Sequence, residues 1–402
     1  MSASTRHLAG FTLAALTLAL ALQLALAPRP FGLQPAAPPA LPPAAVGAEG
    51  LARAHTASGD YWTLYFSSPL RGTVARNGGD LSPQRFMLEP AKVPVRRSGG
   101  IDAPLAAAID AAQVSLDIAA FELNNPLLAG AILDAAERGL RVRVVSDDEH
   151  GLRASDGLIT ALRAAGIPVV DDGRSALMHN KFVIIDDLSV WTGSMNLTVN
   201  GADRHNNNLL QLRSAEAARR YQAEFDEMFV QGRFGPRSPR GDTMPFEEGT
   251  ARIALHFGPE DEPAAALYDA LAEAQERIRF MAFSFTLDDI GSLLLRQAAA
   301  GLQLQGIFER VGSESVWSEL GPLHCAGLDL RQDGNPYLLH HKVFLIDDDV
   351  VVTGSANFSA SGTQSNDENM LIIEDAALAA AYQAEFARRW DEASTPREIA
   401  CS

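Results

Sequence analysis

The chain has 402 residues, of which 47% are apolar and 21% charged, and its formal net charge is −17 at pH 7. The first two figures are those of an ordinary globular protein, with room for two cores of about 150 residues each. The charge weighs against a general DNA-binding surface, because it repels phosphates, but leaves room for a local basic groove around Lys181, Lys342 and nearby arginines.

In chain order, Arg6 precedes an apolar or weakly polar run from Leu8 to Ala27. About twenty such residues suffice to span a bilayer, and the single positive residue ahead fits an export signal. Residues 1–27 therefore read as a signal that is cut or as an anchor that is kept. Ala25-Leu26-Ala27 resembles a cleavage site, although Pro28 directly after it suits cleavage poorly. Residues 28–60 are a Pro/Ala-rich spacer. A first lobe spans residues 61–231, a linker 232–249, a second lobe 250–394 and a tail 395–402.

Within the first lobe, Arg71–Gly100 reads as an irregular insertion. The pattern then predicts a helix over Pro104–Ala112, a strand over Val114–Phe121, a helix over Pro126–Arg138 and a strand over Val142–Ser146. The second lobe repeats the order: helix Pro263–Glu276, strand Arg277–Phe285, helix Leu287–Ala300, strand Leu302–Glu309. Such alternation predicts an α/β protein whose sheets are covered on both faces. Trp62, Trp191 and Trp390 lie in patterned segments and read as packing residues. Asp147-Asp148-Glu149 and Glu309-Arg310 end equivalent strands. They read equally as selectors of the substrate or as loop caps.

Two matching motifs carry the chemistry. One reads His179, Lys181, Asp186, Gly193, Ser194, Asn196; the other reads His340, Lys342, Asp347, Gly354, Ser355, Asn357, each 161 residues on. Repetition at a fixed offset marks a duplicated unit. Each motif reads as a β-hairpin. With two-residue turns at Asp187-Leu188 and Asp348-Asp349, Lys181 faces Ser194, His179 faces Asn196, Lys342 faces Ser355 and His340 faces Asn357. One face of each hairpin then carries an imidazole, an ammonium, a hydroxyl and an amide. That set suits a phosphate, and two imidazoles can share nucleophilic attack and proton donation near neutral pH.

At these residues the chain resembles the phospholipase D superfamily, whose hallmark is a duplicated H-x-K-x4-D motif followed by G-S-x-N. The resemblance runs from about Tyr61 to Trp390. It implies two tandem lobes related by pseudo-two-fold symmetry, each a mixed sheet flanked by helices, with one active site between them. It also implies a covalent phosphohistidine intermediate and no required metal. Carried over residue by residue, it makes His179, Lys181, His340 and Lys342 catalytic. Ser194, Asn196, Ser355, Asn357, Asp186, Asp347, Asn207 and Glu368 become phosphate-binding or supporting.

In the family a carboxylate following each motif orients that motif's histidine. Glu368 fits after the second motif, whereas Asn207 stands in the first. An amide can fix a tautomer but lacks the charge that raises an imidazole pKa. On that basis His179 is expected to be the nucleophile and His340 the acid.

The expected function is a phospholipase D-type phosphodiesterase, with phospholipid head groups favoured over nucleic acid. An exported endonuclease or a phosphatidyl transferase resembling cardiolipin synthase are the alternatives. A dead binding relic is disfavoured, since neither histidine is lost. No cofactor is expected, and the histidines, His205 and His256 included, show no metal-ligand spacing. Membrane association, an exported or membrane-anchored location and a monomeric state complete the expectation. Pairing of Cys325 with Cys401 stays open.

Overall fold

The computed structural model describes residues 54–67, 100–396, 399 and 401. The apolar run 8–27, most of the spacer, and the insertion up to residue 99 lie outside the described residues.

The first lobe contains β1 (Ala54–Ser58), β2 (Trp62–Ser67), β3 (Ser115–Ala120), β4 (Arg141–Ser146), β5 (Val169–Asp171), β6 (Lys181–Ile185), β7 (Ser189–Gly193) and β8 (Asn208–Leu212). Their spatial order is β1-β2-β8-β7-β6-β3-β4-β5. The second lobe contains β9 (Phe246–Glu248), β10 (Ala251–Gly258), β11 (Arg277–Ala282), β12 (Gln303–Phe308), β13 (Asp329–Gln332), β14 (Lys342–Ile346), β15 (Val350–Gly354) and β16 (Glu368–Glu374). Its order, β9-β10-β16-β15-β14-β11-β12-β13, repeats the first strand for strand. In each sheet the three strands joined by helical crossovers are parallel and their neighbours antiparallel. The duplication seen in the motifs therefore extends to two mixed eight-stranded sheets.

Ten α-helices accompany the strands among the described residues: α1 (Asp102–Ala111), α2 (Pro126–Glu137), α3 (Ile159–Ala164), α4 (Val199–Asp203), α5 (Ala215–Gln231), α6 (Pro263–Ala272), α7 (Asp288–Ala299), α8 (Leu320–Cys325), α9 (Ala360–Gln364) and α10 (Ala376–Glu392). The expected boundaries hold to within a few residues because local chemistry sets them. At the start of α2, Asn125 accepts from the Leu127 and Leu128 amides, with Pro126 in the first turn. At the end of α5, Gly232 adopts the left-handed conformation that closes a helix.

Helices α5 and α10 carry the shared core. Tyr221 and Phe225 on α5, and Tyr382 and Phe386 on α10, belong to one buried cluster with strands of both lobes. Tyr221 meets Phe257 of the second lobe edge-on at 5.2 Å, and Tyr382 meets Phe66 of the first at 5.2 Å. Each lobe also has its own outer core, under α1 and α2 or under α6 and α7. Trp62 and Trp191 are buried, and Trp390 stacks on Phe386, so all three pack as expected.

Three sequence expectations need correction. β1 falls inside the stretch assigned to the spacer and pairs along its whole length with β2, so the first lobe begins earlier than residue 61. The linker 232–249 is not wholly a solvated connector: Phe234 is buried, and Phe246–Glu248 adds an edge strand to the second sheet.

The third correction concerns register. Ile185 pairs with Ser189 and Ile346 with Val350, so each hairpin turn has three residues, Asp186–Leu188 and Asp347–Asp349. Asp186, Asp187 and Asp347 take positive φ there, which Asp tolerates better than most residues. The one-residue shift means that Lys181 does not lie opposite Ser194, nor Lys342 opposite Ser355.

Candidate active site

Both motif histidines sit at the ends of strands that meet at the junction of the lobes. The segment before each one pairs with the other lobe. The His179 amide donates to the Asp367 carbonyl at 2.9 Å, and the Asp367 amide returns to the Leu177 carbonyl at 2.9 Å. Symmetrically, the His340 amide donates to the Asn206 carbonyl at 2.9 Å, and the Asn206 amide to the Leu338 carbonyl at 2.9 Å. These bridges place each histidine beside the residue that begins or precedes the last strand of the other lobe.

The side chains follow the backbone across. His179 Nδ1 lies 2.7 Å from Glu368 Oε1, and His340 Nδ1 lies 2.9 Å from Asn207 Oδ1 and 3.0 Å from the Ser194 carbonyl. The expected pairing within each motif is thus reversed. The carboxylate of the second lobe holds the histidine of the first, and the amide of the first holds the histidine of the second. In both cases an acceptor at Nδ1 keeps the proton there and leaves Nε2 as the free nitrogen.

The G-S-x-N serines support these partners rather than face the lysines. Ser355 Oγ donates to Glu368 Oε2 at 2.6 Å, and Ser194 Oγ donates to Asn207 Oδ1 at 2.9 Å. Asn207 Nδ2 donates to the Gly201 carbonyl at 2.9 Å, a bond an ionised carboxylate could not make. Asn196 Nδ2 donates to Glu122 Oε2 at 2.9 Å. The buried amide oxygens of Asn196 and Asn357 find no partner within the protein, so both side chains retain unused hydrogen-bonding capacity.

Lys181 and Lys342 are buried beside the imidazoles. Each ammonium donates to the carbonyl of its own motif histidine, at 2.6 and 2.9 Å. Each also lies over an aromatic ring, Phe121 at 4.9 Å and Phe283 at 4.6 Å. The same rings stand edge-on to the histidines, both at 4.7 Å. The repeated Ala-Phe at the ends of β3 and β11 therefore builds a matching wall on each side of the site.

Asp186 and Asp347, expected to bind phosphate or to support the site, do the second and not the first. Asp186 accepts from the amides of Gln113, Val114 and Ser115, and Asp347 from those of Gln275, Glu276 and Arg277. Each staples its hairpin turn to the start of the neighbouring strand, at the end of the sheet away from the histidines. Asp147 and Glu309 are likewise positioning groups. Their carboxylates accept from the Met178 and Leu339 amides, the residues before each histidine, while also capping the turns that follow β4 and β12. Asp148 is tied down as well, accepting from Arg153 at 2.6 Å.

Burial dominates the electrostatics. Desolvation brings the His179 pKa down to about 4 against the upward pull of Glu368, and brings Lys181 down to about 8. His340 and Lys342 are also held well below their ordinary values, by burial first and then by the neighbouring cations. Glu368 is the strongest upward influence on His179, Lys181 and Lys342 alike.

Sequence reasoning passed over His205 for want of ligand spacing. Its ring lies 6.0 Å from that of His340, and burial brings its pKa down to about 4. Its signal was its place two residues before Asn207. Among the described residues, no cluster of three or more His, Cys, Asp or Glu is arranged to hold a metal ion.

The family model described as "Cardiolipin synthase, PLD-like domain" matches residues 105–229 and 267–390, more than half of the chain. This chain belongs to the phospholipase D-like family. The mitochondrial cardiolipin hydrolase of Xenopus tropicalis is 33% identical over 132 residues, covering 33% of this chain and 63% of that protein. A phospholipase D of Rickettsia bellii is 31% identical over 132 residues, covering 33% of this chain and 66% of that protein. The chain thus spans just under two thirds of the length of these relatives. The phosphatidylserine synthase of Haemophilus influenzae shares the PLD-like fold, with a TM-score of 0.59 and 13% identity over 74% of this chain and 85% of that structure. The order of both sheets and the two motifs at their junction are what membership of this family leads one to expect.

Proposed function

We propose that the chain is a phospholipase D-type phosphodiesterase that cleaves phospholipid head groups through a phosphohistidine intermediate. One observation carries this reading: two imidazoles with Nε2 free and two buried ammonium groups converge where the lobes meet. His179 Nε2 attacks phosphorus, forming the N–P bond as the P–O bond to the head-group alcohol breaks. His340 donates the proton that the departing alkoxide takes. Water then attacks the phosphohistidine, giving its proton to His340, and phosphatidate leaves with His179 restored. Lys181 and Lys342 offset the charge on the phosphoryl oxygens.

The roles rest on the crossed pairing. Attack leaves a positive charge on the phosphorylated imidazole, and Glu368 at its Nδ1 opposes that charge. His340, held by neutral oxygens, forms a more acidic imidazolium and releases its proton readily; the substrate's negative charge promotes its protonation on binding. This proposal assigns the same roles as the sequence reading, but on the opposite ground, because Glu368 pairs with His179 and not with His340.

The preference for lipid is supported by the names of the relatives and by the net charge of −17. Export is supported by the apolar run and by the disulfide between Cys325 and Cys401. Parallel assays on phosphatidylcholine vesicles, cardiolipin vesicles and single-stranded DNA test the substrate class. DNA cleavage without lipid turnover would replace the reading with a nuclease. On bis(p-nitrophenyl) phosphate, His340→Ala should retain more activity than His179→Ala, because the leaving group needs little acid. A trapped phosphoryl adduct should map to His179. An adduct on His340 would reverse the roles. Finding the full-length protein soluble in the cytoplasm would overturn export.

A further inference from the structure

The loop between β12 and α8, residues 309–319, carries Val311, Val316 and Trp317 at 67%, 91% and 78% exposure. They are three of the seven large apolar side chains most exposed among the described residues. A single exposed leucine or valine needs no explanation, whereas a tryptophan and two valines on one loop do.

The loop's position supplies the explanation. It leaves the end of β12, where Glu309 holds the backbone in front of His340, so it stands at the rim of the site. Its base is fixed. The Glu309 amide donates to the Ala282 carbonyl at 2.9 Å, the Glu319 amide to the Phe285 carbonyl at 3.0 Å, and Gln332 Nε2 to Ser313 Oγ at 3.0 Å and to Glu314 Oε1 at 3.1 Å. The equivalent loop of the first lobe, after β4, exposes Glu149, His150, Arg153, Ser155 and Asp156 instead. One side of the site is thus rimmed by polar groups alone, and the other by a hydrogen-bonded loop that exposes Val311, Val316 and Trp317 among Arg310, Glu314 and Ser315.

We propose that Val311, Val316 and Trp317 insert into the head-group and acyl boundary of a phospholipid surface and hold the site against it. This rests on the phospholipid reading above. Tryptophan favours that boundary, with its ring in the apolar layer and its N–H toward water. Insertion driven by apolar area also needs no electrostatic attraction to an anionic surface, which a net charge of −17 disfavours.

The test uses the full-length protein with phosphatidylcholine vesicles carrying brominated acyl chains, and compares wild type with Trp317→Phe. Trp62 and Trp191 are buried and Trp390 is stacked on Phe386, so the difference between the two proteins reports Trp317. The Trp317 emission should shift to the blue and be quenched by the bromolipid. The double variant V316S/W317S should lose about tenfold in turnover of vesicle phosphatidylcholine, from the lost apolar burial. It should keep wild-type turnover of bis(p-nitrophenyl) phosphate and an unchanged Tm. Lipid hydrolysis without quenching of Trp317, or equal vesicle turnover by V316S/W317S, overturns the inference and leaves the proposed function standing. Quenching without lipid hydrolysis supports the inference and overturns that function.

Discussion

Replacing Glu368 with Gln is the most incisive perturbation of the site, because this one carboxylate acts on His179 and on both lysines. Its Oε1 lies 2.7 Å from His179 Nδ1, and its other oxygen accepts from Ser355. The amide keeps nearly the same shape and can still accept from His179, so the loss is mainly one of charge. A hydrogen bond to a charged group is worth about 1.5–3 kcal/mol, which corresponds to roughly 10- to 150-fold in rate if it is made to the phosphorylated imidazole. The second consequence is a shift with a definite sign. Glu368 is the strongest upward influence on Lys181, which stands at about 8, and on Lys342. Without it both lysines lose their protons at lower pH. The alkaline limb of kcat/KM on bis(p-nitrophenyl) phosphate, measured from pH 5 to 9, should therefore move to lower pH in Glu368→Gln. A kcat/KM within twofold of wild type, with an unmoved alkaline limb, would refute the shared-counterion argument.

Asn207→Asp should lower stability by about 1–3 kcal/mol in urea unfolding, because a carboxylate oxygen would face the Gly201 carbonyl that the amide now satisfies; unchanged stability would count against it. Activity should survive exhaustive chelation by EDTA, since side chains supply both charge and protons; loss restored by one particular cation would refute this. Reducing the Cys325–Cys401 disulfide, which closes a loop of separation 76, should lower stability by about 2–4 kcal/mol, read as a drop in Tm. Glu260 is pushed up to about 8 by burial, with Asp261, Asp367 and Glu227 nearby. A carboxyl with a raised folded pKa holds its proton more tightly when folded, so stability is lost as pH rises from about 4.5 toward 8. The Tm advantage of Glu260→Gln over wild type should be small at pH 5 and grow to pH 8.

The sequence made the strand and helix order legible because each element has its own period and caps, and the duplication let each lobe check the other. The residues of the site were legible for the same reason: His179, Lys181, His340 and Lys342 repeat intact. What failed was geometry decided by a single residue. A three-residue turn at Asp186–Leu188 looks much like a two-residue one in sequence, yet it shifts the register and turns Ser194 away from Lys181. Asp186 and Asp347 share the motif's spacing, but their short carboxylates reach only the strand starts beside them. Trp317 went unremarked because nothing in its local pattern separates an exposed tryptophan from a packed one.

The crossing of the histidine partners could not be seen in either half alone. In each lobe the residue that follows the motif by the family's spacing is aimed at the other lobe's histidine, because Met178–Asp367 and Asn206–Leu339 pair as parallel bridges across the junction. The same exchange recurs one residue on. Asn369 Nδ2 donates to Asn180 Oδ1 at 2.8 Å, and Asn208 Nδ2 lies 3.2 Å from His341 Nδ1. Behind these pairs stand Glu224 and Glu385. Glu385 is paired with His341, Arg388 and Arg389 and held down to about 2, while Glu224, with no basic partner of that kind among the described residues, is pushed well up by burial. The second lobe thus buries an ion-paired carboxylate where the first buries one raised by burial and by neighbouring carboxylates. Since each histidine takes its orientation from the opposite lobe, a half-chain would have the imidazole and lysine of one motif but not the group that fixes the tautomer. Catalytic competence and lobe packing are then one property, and a substitution in the shared core of α5 and α10 should reach the chemistry through Asn207 and Glu368.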